Sequence, residues 1–379
     1  MHILTVNTGS TSVKLDVFDT DVSIEQAQLA IHKHGQDIAP DAVFKRVFEK
    51  YQRTDIDLIV HRIVHGGPEL TEPSFITDRV KRTLEATIPM APLHNPTALR
   101  WLGVCEQHFN DTPQVAVFDT AFFANLPARS GFYAIPQDRT ETRDIRRFGF
   151  HGLAHQAMWQ AWCQQHPLRE DGGRVITLQL GGGCSVTAIA NGQVQDTSMG
   201  FSPLEGLMMA TRSGDIDAGA LIYLLREKGM TLDDLETLLN ESSGLYGVSQ
   251  YSPDMNDLLQ RDDAKSRLAV EMYCYRIRKY LGAFMAALGG IDGIVFGGGV
   301  GENSPQIRQR VIEDMAWLNL RIDTQRNRQQ EDAARAVSPG DADVGIWVVP
   351  VDEARILVQH GLDLMGRKRH HSHPRRADR

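Results

Sequence analysis

Residues 4–18, Leu4-Thr5-Val6-Asn7-Thr8-Gly9-Ser10-Thr11-Ser12-Val13-Lys14-Leu15-Asp16-Val17-Phe18, alternate apolar and polar side chains on both sides of a short run of glycine and hydroxyl residues. Alternation with a period of two marks a strand, and its interruption at Gly9 predicts a β-hairpin. The tip of this hairpin carries Asn7, Ser10, Ser12 and Lys14. Backbone N–H groups, hydroxyls and one ammonium are what a phosphate chain requires, and a glycine lets the backbone come close to it. Taken alone, the segment also reads as an ordinary Gly-Ser hairpin.

The pattern returns at residues 175–189. There an alternating strand enters Gly181-Gly182-Gly183 and a second strand leaves toward Asn191-Gly192, a hairpin-turn dipeptide. A third cluster, Gly297-Gly298-Gly299-Val300-Gly301-Glu302-Asn303, ends the apolar run that begins at Gly293 and precedes a predicted helix. Neither the P-loop pattern nor the dinucleotide fingerprint fits these turns. Two similar hairpins predict an α/β chain of duplicated domains, the architecture of actin, sugar kinases and heat-shock chaperone ATPases (a ribonuclease H-like fold), with ligand in a cleft between the halves. A length of 379 residues accommodates two such domains. The expected division is 1–147, completed by a C-terminal helix at 354–366, then 148–353, with a basic flexible tail at 367–379.

Composition narrows the function classes. A formal charge of −8 argues against nucleic acid as a partner, since phosphate backbones demand clustered Lys and Arg. The run Arg367-Lys368-Arg369, with Arg375 and Arg376, reads as a solvated tail, and His370, His371 and His373 within it suggest no built metal site. Cys105, Cys163, Cys184 and Cys274 are scattered and form no C-x-x-C pair, which fits a reducing cytoplasmic compartment. The chain opens directly into a strand pattern, which predicts no signal peptide, and no apolar run is long enough to span a bilayer.

Elsewhere, Val43, Phe44, Val47, Phe48 and Tyr51 have helical spacing. Leu58-Ile59-Val60 and Val115-Ala116-Val117-Phe118 read as buried strands. The first strand ends in His61-Arg62-Ile63-Val64-His65-Gly66-Gly67 and the second in Asp119-Thr120, the strand ends where α/β folds place ligands. The polar stretch 136–147 predicts a crossover between domains. Val270, Cys274, Ile277, Leu281, Phe284 and Leu288 form one helical stripe that core packing explains.

Arg62 and Arg212 are candidate clamps, because guanidinium forks suit carboxylate and phosphoryl oxygens; each also reads as a surface ion-pair partner. Asp119 either positions a nucleophile or metal, or caps a helix. His151, between Phe150 and Gly152, is expected in an exposed turn, from which it could donate a hydrogen bond to developing phosphoryl charge. Glu353 is either a metal-side carboxylate or a helix-start glutamate facing the dipole. Together these groups fit phosphoryl transfer, in which positioning, a divalent metal and cationic groups lower the barrier.

At these residues the sequence resembles the acetate kinase (short-chain acyl kinase) family. The matching stretches are residues 6–14, 61–67, Ala91-Pro92-Leu93-His94-Asn95-Pro96, 117–122, Phe148-Gly149-Phe150-His151-Gly152, 197–206, 210–214 and 299–304, in the family's order across nearly the whole chain. The resemblance implies reversible transfer between ATP and a short carboxylate such as acetate or propionate, giving ADP and an acyl phosphate, with Mg²⁺, in a homodimer formed through the C-terminal domain. It implies that Arg62 and Arg212 flank the substrate carboxylate and the transferring phosphoryl, that Asp119 lies beside the acyl group and metal, and that His151 stabilises the transition state. Asn7 and Glu353 then serve the metal. Val64, Leu93, Phe150 and Pro203 form the acyl pocket. Lys14, Ser10, Ser12, Gln179, Gly181, Gly182, Gly183, Asp254, Met255, Asn256, Gly298, Gly299, Gly301 and Asn303 are expected to meet the nucleotide.

Departures gather on the donor side. Gln179 stands where the family usually has His, Gly182 where it has Asn, and Asn256 where it has an Arg that stacks on the purine. Pro350-Val351-Asp352-Glu353 lacks the usual Thr-Asn before the glutamate, and the segment between residues 20 and 55 is shorter than in typical members. These differences leave three readings of the donor and of the activity: ATP, another nucleotide or pyrophosphate as donor, or a non-catalytic sensor of nucleotide or acyl phosphate.

Overall fold

The computed structural model describes residues 1–9, 12–20, 27–32, 43–45, 49, 55–140, 142, 144–169 and 171–372, by backbone alone at 12, 27–32 and 368–372. It divides the chain into two compact units, Met1–Ala124 with Asp352–Arg379, and Asn125–Val351.

The first unit is built on β1 (His2–Thr8), β2 (Ser12–Asp19), β3 (Ala27–His32), β4 (Leu58–Ile63), β5 (Ser74–Phe75) and β6 (Gln114–Phe118), in the spatial order β3-β2-β1-β4-β6-β5. Strands β1, β4 and β6 are parallel, while β2, β3 and β5 join antiparallel. Parallel strands covered on both faces read as continuous apolar runs, and β4 and β6 do so. Ile59 packs with Trp101 and Cys105 of the helix Asn95–His108, and with Val43 and Phe44. Leu58 and Val60 point the other way, onto Gly361 of the C-terminal helix, where a Cβ would come within 2.7 Å of Val60 Cγ2.

The second unit uses β7 (Arg174–Leu180), β8 (Cys184–Ala190), β9 (Gln193–Thr197), β10 (Gly293–Gly297), β11 (Arg335–Ala336) and β12 (Gly345–Val348), ordered β11-β12-β10-β7-β8-β9. Strand for strand this is the first sheet again: an antiparallel meander, two parallel strands beside its first member, and an antiparallel edge. The register repeats as well. Asn7 on β1 pairs with Lys14 and Arg62, and Gln179 on β7 pairs with Ser185 and Gly297. The duplicated α/β architecture expected from the two hairpins is therefore present. Asn191 and Gly192 turn the β8–β9 hairpin with φ of 52° and 75°, as their dipeptide predicts. The helix Ala264–Leu288 packs on β8 and buries Val270, Cys274, Ile277, Leu281 and Phe284.

The element boundaries differ from the sequence reading in three places. β4 continues through His61 and Arg62, because both are hydrogen-bonded between β1 and β6 in the middle of the sheet. Residues 125–147 fold with the second unit: Ser130 Oγ donates to Gln195 O at 2.7 Å, and Arg147 binds Glu205 at 2.7 Å. The C-terminal helix runs from Glu353 to Ser372 instead of stopping at 366. Arg and Lys are good helix formers, and cations favour a helix C-terminus. Of the helix expected at 43–51, only 43–45 and 49 are described, with Val43 and Phe44 buried. Among the described residues no helix is long and apolar enough to cross a membrane.

Candidate active site

In the first unit four polar side chains meet at the C-terminal ends of the parallel strands. Asn7 and Arg62 are cross-strand neighbours on β1 and β4, and Asp119 follows β6 two residues beyond Val117, the partner of Arg62. A two-residue step keeps Asp119 on the same face as Arg62. Arg62 Nε lies 3.2 Å from both Asp119 oxygens and Nη2 lies 2.5 Å from Oδ2, while Nη1 donates to Asn7 Oδ1 at 3.0 Å. Asn7 Nδ2 donates to Glu353 Oε2 at 2.8 Å, and that oxygen is 4.0 Å from Arg62 Nη1. Burial works against the charge on Arg62, but Asp119 and Glu353 more than offset it and raise its pKa. Asp119 is buried at 1% side-chain exposure, so its carboxylate depends on this guanidinium.

Lys14 is exposed on β2 opposite Asn7. Ser10 and the side chain of Ser12 lie outside the described residues. Val64 is buried, and Leu93 is 46% exposed.

The second unit gathers a different set around its Gly-rich turn. A Cβ placed on Gly183 would lie 3.2 Å from His151 Nε2 and 3.8 Å from Arg212 Nη1, so both donors converge there. Arg212 Nη1 donates to Pro203 O at 3.1 Å; among the described residues it has no carboxylate partner. Burial lowers its pKa, opposed by Cys184. His151 caps the helix Gly152–Gln165 in the left-handed region, at φ 58° and ψ 31°. Such a conformation costs a non-glycine residue ~1–3 kcal/mol and is kept where the surroundings over-determine it. Here Nδ1 lies 2.8 Å from Ser185 Oγ, which holds the ring over Gly183. His151 is half-buried, not in an open turn. Phe150 is buried and Pro203 half-buried, so the four expected acyl-pocket residues divide two and two between the units.

On the donor side, Gln179 Nε2 lies against Gly298, where a Cβ would come within 2.9 Å of it and 2.7 Å of Leu180 O. Gly298 has φ 74°, so only glycine fits without strain. Gln179 Oε1 is buried with no hydrogen-bond partner among the described residues. Glu302 Oε1 accepts from the N–H groups of Gly298 and Val351, which ties the glycine cluster to the end of β12. Gly181 N donates to Gly183 O, Gly182 N–Cα–C backbone faces open space where a Cβ would meet nothing within 4 Å, and Asn303 Nδ2 returns to Gly299 O. Gly301 is buried under Arg308, whose Nη1 donates to Gly301 O and Glu302 O at 2.8 Å.

The segment 254–256 opens a short helix. The Asp254 carboxylate caps its own helix, Met255–Leu259, by accepting from Asn256 N and Asp257 N; Met255 is buried, and Asn256 is exposed. Sequence reading missed Ser185, His155, Thr177, Glu302 and Arg308 as parts of these clusters. Only His155 carried a local signal, standing four residues after His151 on the same helical face.

Comparison with known proteins converges on one group. The family model described as the Acetokinase family matches residues 24–359. A protein from Solibacter usitatus called acetate kinase is 36% identical over 401 residues, covering 95% of this chain and 97% of the relative. Two crystal structures each cover 96% of this chain and are covered to 99%. A propionate kinase from Francisella tularensis aligns with a TM-score of 0.87 at 30% identity, and the Porphyromonas gingivalis acetate kinase with 0.85 at 34%.

Proposed function

The chain belongs to the acetokinase family, and as an enzyme of that family, we propose, it moves a phosphoryl group reversibly between ATP and acetate or propionate, giving ADP and the acyl phosphate. The observation that carries this reading is the pair His151 and Arg212, both aimed at Gly183, with no carboxylate beside the guanidinium among the described residues. A transferring phosphoryl group spreads negative charge over three oxygens, and preorganised donors of this kind are what lower its barrier. Arg212 supplies a full charge in a half-buried setting, and His151 supplies a directed donor.

The first unit's cluster is suited to the complementary task. Asp119, Glu353 and Arg62 sum to one negative charge, and the ligand atoms that Asp119, Glu353 and Asn7 offer are oxygens, which is the donor set of a hard divalent cation. Glu353 and Asn7, with Asp119 behind them, would hold Mg²⁺; when bound, it neutralises phosphate oxygens. Arg62, fixed by Asp119 and Asn7, presents a rigid fork to the substrate carboxylate. Val64, Leu93, Phe150 and Pro203 are the apolar side chains we assign to the short acyl chain. One methylene changes such binding by only ~1–3 kcal/mol, so acetate and propionate are both accepted.

Gln179, Gly181–Gly183, Gly298–Gly301 and Asn303 are assigned to the donor phosphates, with Lys14, Ser10 and Ser12. Exposed Asn256 offers a purine no guanidinium to stack on, which favours weak adenine selection and keeps pyrophosphate or another nucleotide as the second reading.

ATP formation from acetyl phosphate and Mg·ADP, run beside orthophosphate in place of ADP, tests both readings. Turnover with ADP is expected. Pyrophosphate formation with orthophosphate alone moves the donor, and silence with both sends the test on to other nucleoside diphosphates and acyl phosphates, with a sensor as the competing reading.

We also propose a homodimer. The helix Ala218–Glu227, Ala-Gly-Ala-Leu-Ile-Tyr-Leu-Leu-Arg-Glu, buries none of its residues within the chain, and Ile222 and Tyr223 are each half exposed. Light scattering should give twice the chain mass, and Ile222→Glu should halve it.

A further inference from the structure

Behind His151 runs a buried chain of hydrogen bonds. Its Nδ1 is 2.8 Å from Ser185 Oγ, that oxygen is 2.8 Å from His155 Nε2, and His155 Nδ1 is 2.7 Å from Thr177 Oγ1. Ser185, His155 and Thr177 have no exposed surface, so every polar atom among them must be satisfied internally.

Proton counting restricts what this chain can do. A serine hydroxyl has one proton, so Ser185 donates to one imidazole and accepts from the other. Burial, helped by nearby His151, holds the pKa of His155 well below the ordinary 6.5, so its ring carries a single proton. With His151 also neutral and the Ser185 proton spent within the chain, as burial requires, two arrangements remain. In one, His155 Nε2–H donates to Ser185, Ser185 donates to His151 Nδ1, and the His151 proton sits on Nε2 at the Gly183 side. In the other every donor is reversed, and His151 turns a bare lone pair toward Gly183. Phosphoryl oxygens only accept, so the neutral ring serves them in the first arrangement alone.

We propose that Ser185 and His155 are positioning residues, which hold His151 as the Nε2–H tautomer with its donor aimed over Gly183. The inference rests on the reading of His151 as a phosphoryl donor, and it adds the two residues that fix which ring nitrogen carries the proton. No covalent change in Ser185 or His155 is involved. They differ from a structural pair in that their loss alters the ring proton of a third residue.

The test uses the full chain with Mg²⁺, ADP and acetyl phosphate, together with ¹⁵N chemical shifts of the histidine rings. The wild-type His151 should show a pyridine-like Nδ1 and a protonated Nε2. Ser185→Ala should mix the two tautomers and lower kcat about tenfold with both KM values little changed, the scale of losing a histidine's orienting partner. His155→Gln, whose amide can still donate to Ser185, should keep most of the activity. Thr187→Val removes a buried hydroxyl pair (Thr187 Oγ1 to Thr197 Oγ1, 3.1 Å) on the same strand, and should lower the melting temperature while leaving kcat intact. Unchanged ring shifts and kcat in Ser185→Ala would overturn the proposal, as would an equal kcat loss in Thr187→Val. Full turnover by His151→Ala would instead remove the phosphoryl reading, and the ring shifts would still decide the relay.

Discussion

Arg62 holds Asp119 by the side of its guanidinium: Nε reaches both carboxylate oxygens at 3.2 Å, and Nη2 closes on Oδ2 at 2.5 Å. The arrangement leaves Nη1 for Asn7, and through Asn7 for Glu353. One guanidinium thus orders three side chains from three other segments of the first unit. Removing one member of a buried ion pair strands the other charge and costs about 3–5 kcal/mol. Arg62→Ala should therefore destabilise the first unit by about that much, because buried Asp119 loses the guanidinium that binds both of its oxygens. Asp119→Asn should cost less, since its amide oxygen still accepts from Nε and Glu353 remains nearby. Arg62→Lys should fall between them, one ammonium being unable to reach Asp119 and Asn7 together. Urea unfolding of the three variants checks the order, and an Asp119→Asn as damaging as Arg62→Ala would break it.

Acid should weaken the fold well above the carboxylate range. Burial lowers the pKa of His61 to about 4, partly opposed by its 2.6 Å hydrogen bond to Gln114 Oε1. In the unfolded chain a histidine takes up its proton near 6.5. Between pH 6.5 and 4 the unfolded state therefore binds the extra proton, and stability falls as pH falls through that window. The full shift is worth about 3 kcal/mol, lost by pH 4. His155, shifted in the same direction by burial, adds to the loss. Denaturant unfolding at pH 7 and at pH 4.5 should show a drop of roughly 2–3 kcal/mol from His61 alone. His61→Gln, which can still donate to Gln114, should remove that part of the drop. An equal drop in the variant would show that His61 does not carry it.

Legibility in the sequence followed the range of the interactions. The two hairpins were readable because alternation and glycine turns are local, and the family motifs named Arg62, Asp119, His151 and Arg212 residue by residue. What could not be read was register. That Asn7 lies beside Arg62, and Gln179 beside Gly297, is decided by the pairing of strands more than 50 residues apart. His61 and Arg62 read as the loop after a strand, because nothing local shows that β1 and β6 will flank them. That the Asp254 carboxylate caps its own helix and that Met255 enters the core are likewise placements only the folded chain displays. The relay through Ser185 needed a helix and two strands to be placed against one another.

Gly182 is the donor-side difference with room to be reversed. A Cβ there meets nothing within 4 Å, and its φ is not in the left-handed region. Gly182→Asn should leave stability within about 0.5 kcal/mol of the wild type, as a surface substitution free of contacts does. If this hairpin meets the donor phosphates, the added amide should lower KM for the nucleotide while kcat changes little. Gly244→Ala is the contrasting case: φ is 61°, and a Cβ would press to 2.2 Å from Met209 O, so the backbone must move. Thermal unfolding should separate the two at once. A KM unmoved by Gly182→Asn would take the turn away from the donor.

Arg308 presents the opposite situation to Arg62, a buried guanidinium with acceptors but, among the described residues, no carboxylate. Nη1 donates to Gly301 O and Glu302 O at 2.8 Å, Nε to Asn327 Oδ1 at 2.7 Å and Nη2 to Asn327 O at 2.6 Å. Burial, with Arg335 alongside, lowers its pKa to about 10, so it remains charged at neutral pH. The charge suits its place, because Nη1 satisfies two of the last carbonyls of the helix Gly298–Asn303 and a helix C-terminus favours a cation. Arg308→Met fills much of the volume but leaves four acceptors dry, each unpaired one costing ~1–3 kcal/mol less whatever relaxation recovers. A net loss of about 3 kcal/mol is expected in denaturant unfolding, with Arg308→Lys recovering only part of it. Because Glu302 in the same turn holds Gly298 N and Val351 N, loosening the helix end should also loosen the glycine cluster. The nucleotide KM should then rise while the KM for the carboxylate stays near its wild-type value. A variant that loses stability with both KM values unchanged would confine Arg308 to the core.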